Sequence, residues 1–120
     1  MSVHPSAAPW WEATPDGARL MLGFVMLDRQ GSTREWDDLP EDEVARRRTA
    51  YRAGVDAVAR EMDAAPLVWK GDGTTVFVYS AEEPAAQRAF ITARLVWERL
   101  RIELNLSVRL AVNAAPVIWR

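Results

Sequence analysis

The order of apolar patterns along the chain is the feature that most constrains its fold. The run Leu20–Leu27 is continuously apolar, and because it is too short for a typical helix it predicts a central strand that stops at Asp28. Four further patterns follow in order: a helix at 39–63, a hairpin at 67–79, a helix at 84–101 and an alternating strand at 106–113. This order predicts an α+β fold, the ferredoxin-like (palm-like) βαββαβ arrangement, in which helices cover one face of an antiparallel sheet.

The first helix and the hairpin carry the clearest local signals. Apolar residues recur at helical spacing and predict one buried stripe, formed by Val44, Tyr51, Val55, Val58 and Met62. In the hairpin, Leu67–Trp69 and Thr75–Tyr79 are predicted strands, and Lys70–Gly73 is the turn between them because Asp-Gly favours tight turns. We expect a single domain at 19–120, preceded by a flexible arm at 1–18.

Composition excludes several classes of function. The chain has no cysteine and a single histidine, His4, so thiolate sites, histidine-rich metal sites and the usual nucleophilic triads lack their parts. Carboxylates are the strong metal ligands that remain. The net charge of -2 gives no field that would attract nucleic acid, and no apolar run approaches the roughly 20 residues that span a bilayer. We therefore expect a cytoplasmic protein with neither nucleic acid nor membrane as its partner.

Two aspartates stand out. In the predicted topology the end of the first strand can lie near the hairpin tip, so Asp28 and Asp72 could converge. Two carboxylates form a hard oxygen site suited to Mg²⁺ or Mn²⁺ that bridge to phosphates. The segment Gly31, Ser32 and Thr33 follows Asp28 at a predicted helix start, where backbone N–H groups can contact phosphate oxygens.

Three segments together resemble the N-terminal half of class III adenylate/guanylate cyclase catalytic domains. GFVMLDRQGSTREW is similar to the family's first strand and metal-binding turn, WKGDGTTVFVYSAEEPAAQRAF to its Gly-Asp-Gly hairpin and following helix, and LSVRLAVNAAPVIWR to its next strand. The resemblance spans roughly Leu20 to Arg120. It implies two divalent ions, Mg²⁺ or Mn²⁺, held by Asp28, Asp72 and the backbone carbonyl of Arg29 over a nucleoside triphosphate. The reaction it implies is formation of a cyclic nucleotide and pyrophosphate.

The sequence departs from the family pattern at three points. The position of the family's adenine-contacting lysine is occupied by Val68, while Lys70 stands nearby, so these two residues are the candidates for base binding and base preference stays open. Residues 111–115, Ala-Val-Asn-Ala-Ala, replace the family's Gly-Ile-His-Thr-Gly. We also expect the chain to lack the family's later Asn and Arg, so no residue is assigned a catalytic role, and turnover would need a second copy or a complementing protein.

Other interpretations remain open. The resemblance also fits a non-catalytic domain that senses nucleotides or binds a protein. Taken singly, Asp28 and Asp72 are ordinary strand-end and turn residues, Ser32 is an ordinary helix cap, and Lys70 is an ordinary solvated residue. The run Arg46–Arg48 is interpreted as a solvated helix face. An RNA-binding ferredoxin-like module is disfavoured, because the charge balance is acidic and no strand face is both basic and aromatic.

Overall fold

A computed structural model of the protein describes residues 8–29 and 36–120. The elements, in chain order, are a short helix α1 (Trp10–Ala13), strand β1 (Arg19–Asp28), helix α2 (Glu41–Glu61), strand β2 (Thr74–Val78), helix α3 (Ala85–Trp97), a π-helical extension (Glu98–Glu103) and strand β3 (Arg109–Ile118). The strands form an antiparallel sheet of order β2-β1-β3. The predicted α+β class is therefore confirmed, with the first strand in the centre and helices packed on the sheet.

Register explains how β1 is covered. Val25 pairs with Val76 in β2 and with Val112 in β3, and both Val25 and Val76 are fully buried beneath the helices. Gly23 lies under α3, where an added Cβ would fall 2.5 Å from the carbonyl oxygen of Ala85 and 2.8 Å from the Cβ of Ala89. Glycine is therefore required for α3 to approach the strand this closely.

Helix α2 contributes the stripe that its sequence predicts. Tyr51, Val55, Val58 and Met62 are buried in the core, and Val44 packs against it. The helix ends at Glu61, and Asp63 then adopts a left-handed φ of 53°. Arg88 of α3 donates to the carbonyl of Met62 at 2.9 Å, so it satisfies one of the acceptors left at this helix end.

One predicted strand does not form. Residues 67–69 run beside β2 without a regular ladder, so the prediction of a strand at Leu67–Trp69 is wrong. The segment still makes isolated bonds to the β2 side: Ala65 N–H donates to the Phe77 carbonyl at 3.0 Å, and Lys70 and Gly73 form a bridge. The Ala65–Phe77 bond and the Lys70–Gly73 bridge are out of register with each other by one residue, so no continuous ladder joins them.

The opposite end of the sheet is closed by indoles. Trp10 packs at 5.1 Å from Trp119 and 5.7 Å from Tyr79, measured between ring centroids, and its Nε1 donates to the Asp63 carbonyl at 2.6 Å. Trp119 Nε1 donates to the carbonyl of Trp11 at 3.0 Å. Residues 10 and 11 thus dock on the domain, whereas the boundary predicted between an arm at 1–18 and the domain at 19–120 stays a prediction.

The last strand is displaced from its predicted range: it begins at Arg109, so the prediction of a strand at Leu106–Val108 is wrong, and it continues beyond Asn113. It runs to Ile118, and Pro116–Ile118 continue the pairing with Arg19–Met21 instead of forming a further edge. The polar-apolar alternation stops at Asn113, and for that reason the sequence pattern ended the strand too early. None of the helices in the described part of the chain combines the length and hydropathy needed to cross a bilayer.

Candidate functional site

Asp28 is the last residue of the central strand and is exposed. The β1–β3 register places it directly across from Arg109, so the two side chains share one face of the sheet. The alternation of β1 assigns Asp28 to the same face as exposed Met26, which is the face turned away from the helices. Asp28 thus stands at the rim of the sheet, where the strand leaves it.

Asp72 lies at the tip of the turn between the 67–69 segment and β2. Its carboxylate Oδ1 accepts from Arg48 Nε at 3.2 Å, and only 13% of the Asp72 side chain is exposed. Its backbone carbonyl accepts from the Tyr51 hydroxyl at 2.6 Å. Arg52 donates to the carbonyl of the neighbouring Gly71 at 2.7 Å. Helix α2 therefore holds the turn through one carboxylate and two carbonyls.

Tyr51 lies behind the turn and is bonded to the backbone of Asp72. Its side chain is fully buried, and this burial raises the pKa of its hydroxyl well above the usual value; the negative charges of Asp72 and Asp28 raise the pKa further, while Arg29 and Arg52 lower it. The register of the sheet brings the end of β1 beside the turn, because Leu27 pairs with Thr74 and Asp28 and Gly73 follow at the same edge.

Arg29 follows Asp28 and points the other way. Only 3% of it is exposed, its Nε donates to the Ser107 carbonyl at 3.2 Å, and its guanidinium lies 3.9 Å from the ring centroid of Trp36. Tyr51 is the second ring in its surroundings, at 5.7 Å. A cation stacked on indole is stabilised by the ring quadrupole, so this arginine ties the end of β1 to the core. The role predicted for its backbone carbonyl stays a prediction.

The remaining predicted site residues divide into two groups. Gly31, Ser32 and Thr33 lie outside the described residues, together with the predicted capping box at Ser32 and Glu35. Val68 and Lys70 are both exposed and line one cavity of about 430 Å³ beside the turn. Met26, Thr75 and Phe77 also line that cavity. The two candidates for base binding therefore share a concave, largely apolar surface.

Asp28 and Asp72 would supply only two carboxylate ligands to a hard divalent ion. Among residues 8–29 and 36–120, no group of three or more His, Cys, Asp or Glu side chains is close enough to hold a metal ion. Two carboxylates are nevertheless the number that Mg²⁺ uses when phosphates and waters complete its shell. The absence of nitrogen and sulfur donors from this pair disfavours softer metals. The donors thus fit Mg²⁺ or Mn²⁺ bound together with a polyphosphate.

Sequence reasoning missed the arginines around the turn. The interpretation of Arg46–Arg48 as a solvated face is confirmed by the exposure of all three side chains, but it did not include the pairing of Arg48 with Asp72. The available signal was spacing: Arg48 and Arg52 lie three residues before and one after Tyr51, so all three share one side of α2 at the edge of the apolar stripe.

The solved structures that this chain matches include adenylyl and guanylyl cyclase domains. The adenylyl cyclase CyaB from P. aeruginosa matches with a TM-score of 0.71 and 15% identity, over 82% of this chain and 58% of its own. The guanylate cyclase domain of RhGC from Catenaria anguillulae in complex with GTP matches with a TM-score of 0.67 and 17% identity, over 83% of this chain and 59% of its own. The chain thus has a cyclase-like fold.

A third structure is a class III adenylyl cyclase-like ATP-binding protein from Pseudomonas aeruginosa, with a TM-score of 0.62 and 20% identity over 82% of this chain and 25% of its own. The chain spans about 58% of the length of the cyclase structures it matches. No family model matches the chain. No curated protein matches it in sequence either.

Proposed function

We propose that this chain is a class III cyclase-like half-site that binds a nucleoside triphosphate through two divalent ions, Mg²⁺ or Mn²⁺, at the rim formed by Asp28 and Asp72. The observation that carries the proposal is the register of β1 and β2: Leu27 pairs with Thr74, so Asp28 and the turn that holds Asp72 lie at the same edge of the sheet. The cyclase-like fold, with the first strand central and the turn beside its end, supports the same assignment.

The ions would supply charge neutralisation for the triphosphate and activate the attacking ribose hydroxyl. The chain's own part is to hold its donors in place. Tyr51 fixes the Asp72 backbone, Arg52 fixes Gly71, and the stacked Arg29 anchors the strand that carries Asp28. Such prior positioning is a main source of rate enhancement in phosphoryl chemistry.

The cavity beside the turn is the proposed position of the base. Val68 supplies an apolar wall, Phe77 an aromatic one, and Lys70 a cation at the rim. Gly31, Ser32 and Thr33 are proposed as phosphate contacts through their backbone N–H groups. Parallel titrations with ATP and GTP give the base preference of this surface.

We propose that turnover to a cyclic nucleotide and pyrophosphate requires a second copy or a complementing protein. The chain offers no catalytic arginine or asparagine assigned by resemblance, and it spans about 58% of the cyclase structures it matches. Intracellular nucleoside triphosphate and a chain without cysteine favour the cytoplasm as its location. Sedimentation analysis with and without Mn²⁺ and nucleotide tests for a homodimer.

The decisive experiment is a titration of Mn²⁺ into the protein in the presence of nucleotide, with binding measured by calorimetry. The proteins compared are the unmodified chain, Asp28→Asn and Asp72→Asn. We expect each substitution to weaken binding by about ten- to a hundredfold, because a charged oxygen ligand contributes roughly 1.5–3 kcal/mol. Asp16→Asn is the matched control, since Asp16 is exposed and lies in the turn before β1. Equal binding by all four proteins would refute the metal site.

A second candidate function is nucleotide sensing without turnover. The similarity to a cyclase-like protein described as ATP-binding favours it. Incubation with Mn²⁺ and ATP or GTP, alone and mixed with a catalytically intact cyclase half, separates the two functions. Cyclic nucleotide in the mixture supports the half-site, whereas saturable nucleotide binding without product under any condition supports sensing.

A further inference from the structure

Helix α2 places a cation directly on one of the proposed metal ligands. Arg48 Nε lies 3.2 Å from Asp72 Oδ1, and the carboxylate is the more buried partner, with 13% of its side chain exposed against 47% for the arginine. The guanidinium also lies 5.9 Å from the ring centroid of Trp36. Arg48 is therefore held over the carboxylate from the helix side, between an acidic group and an aromatic ring.

The neighbouring arginines make different contacts. Arg52 donates to the Gly71 carbonyl and lies 5.3 Å from the ring centroid of Trp69, so it supports the turn without touching a carboxylate. Arg46 and Arg47 pair with Glu43 on the outer side of the helix. Within the described residues, Arg48 is the cation that forms an ion pair with Asp72.

An ion bound to Asp72 would meet this guanidinium at close range. Mg²⁺–oxygen bonds are about 2.1 Å long, so an ion on Oδ1 would lie within roughly 5 Å of Arg48 Nε in its present position. Two positive groups at that separation repel each other, and a half-exposed side chain can move aside at little cost.

Resting on the function proposed above, we propose that Arg48 competes with the divalent ion for the Asp72 carboxylate and thereby keeps the site closed to free metal. The arginine swings off Asp72 when an ion arrives. A polyphosphate favours this exchange, because it brings negative charge that both the ion and the released guanidinium can contact. The consequence is a site that prefers a metal–nucleotide complex to the metal alone.

The test measures binding of Mn²⁺ alone, without nucleotide, by calorimetry or by loss of the free-ion signal in electron paramagnetic resonance. Arg48→Gln removes the cation but keeps a polar side chain, and we expect it to bind Mn²⁺ roughly fivefold more tightly than the unmodified chain. Arg48→Lys keeps the charge and should restore most of the weaker affinity. Arg46→Gln and Arg47→Gln are matched controls expected to leave Mn²⁺ affinity unchanged, because both arginines pair with Glu43 on the outer side of the helix.

The preference for the complex gives a second readout. The ratio of affinities for Mn²⁺ with and without ATP should fall in Arg48→Gln, since its affinity for the free ion rises while one contact to phosphate is lost. Far-UV circular dichroism and a melting temperature within about 4 °C of the unmodified chain confirm that the variant is folded.

The outcomes separate this inference from the function on which it rests. If Asp72→Asn loses Mn²⁺ binding while Arg48→Gln binds no more tightly than the unmodified chain, the competition is refuted and the metal site stands. If Arg47→Gln tightens binding as much as Arg48→Gln, general charge removal explains the effect in place of the specific ion pair, and the competition is refuted. If none of the proteins binds Mn²⁺ with or without nucleotide, both proposals are refuted.

Discussion

At the start of β1 the sheet is closed by aromatic rings, whereas at its end the sheet is bordered by charges. Trp10, Trp119 and Tyr79 pack together at the first end, and both indoles donate to backbone carbonyls. At the second end, Asp72 is held by Arg48 and Tyr51. One sheet thus carries a nonpolar closure at one rim and an electrostatic one at the other.

The difference between packed indoles and partly exposed ion pairs indicates which rim is suited to exchange contacts with a ligand. Burial of indoles stabilises the fold and changes little with salt, so the first rim is suited to hold α1 against the end of β3. Ion pairs that are partly exposed contribute little to stability and exchange partners easily. The second rim can therefore accept a charged ligand without unfolding the domain.

The largest expected effect comes from forcing helix α3 away from β1, the strand that runs from one rim to the other. In Gly23→Ala the new Cβ would fall 2.5 Å from a backbone oxygen of Ala85, so α3 must move off the sheet. We expect a loss of about 3 kcal/mol or more in the free energy of unfolding, measured by urea denaturation. Gly73→Ala is the matched control, because its nearest contacts lie at 3.5 Å and allow a methyl group. A Gly23→Ala protein as stable as the control would contradict the close approach of helix and strand.

Next in size is removal of the aromatic closure. Trp119→Ala deletes the ring that packs against Trp10 and the Nε1 bond to the Trp11 carbonyl. We expect a loss of about 2–3 kcal/mol in stability with nucleotide affinity unchanged, because the rims are separate. Trp97→Ala, on an indole that is 46% exposed, should lose less than half as much. Weakened Mn²⁺ or nucleotide binding in Trp119→Ala would show that the two rims are coupled and would contradict their separation.

The fold was predictable where the signal was local. The apolar run of β1 and the stripe of α2 at Tyr51, Val55 and Val58 each follow from a periodicity that burial imposes on its own segment. The absence of a strand at Leu67–Trp69 was not predictable from its β-rich composition, because it depends on backbone bonds at either side that are out of register with each other by one residue. Strand β3 continues past Asn113. In that part of the strand, pairing with β1 determines the structure, and the polar-apolar alternation of β3 itself does not.

The candidate site was predictable only in part. The placement of Asp28 at a strand end and of Asp72 in a turn was predicted from the sequence and is confirmed, whereas their role as metal ligands stays a prediction. The pairing of Asp72 with Arg48 was not predicted, because the two residues are 24 positions apart and meet only when α2 packs beside the turn. The burial of Arg29 was not predictable either. Its ring partner Trp36 lies beyond the end of the strand, and charge alone predicts an exposed side chain.

The smallest expected effect tests the electrostatic rim at Tyr51. Tyr51→Phe removes the hydroxyl that donates to the Asp72 carbonyl, and we expect a loss of about 1 kcal/mol in stability at neutral pH. Tyr79→Phe is the matched control at the aromatic rim, where the Tyr79 ring packs against Trp10. Tyr79→Phe keeps that ring contact and should lose less stability than Tyr51→Phe. Equal losses in both would mean that the hydroxyl bond at the turn contributes nothing specific.

The same variant fixes the sign of the pH dependence. Burial and the nearby carboxylates raise the pKa of Tyr51 in the folded protein, so above about pH 10 the unfolded chain releases a proton that the fold retains. Stability due to a neutral Tyr51 is therefore present below pH 10 and declines above it. The advantage of the unmodified chain over Tyr51→Phe should be constant to about pH 9 and shrink by somewhat under 1 kcal/mol at pH 10.5, measured by denaturation at each pH. An advantage that grows with pH would place an ionised hydroxyl in the fold, which two nearby carboxylates would oppose.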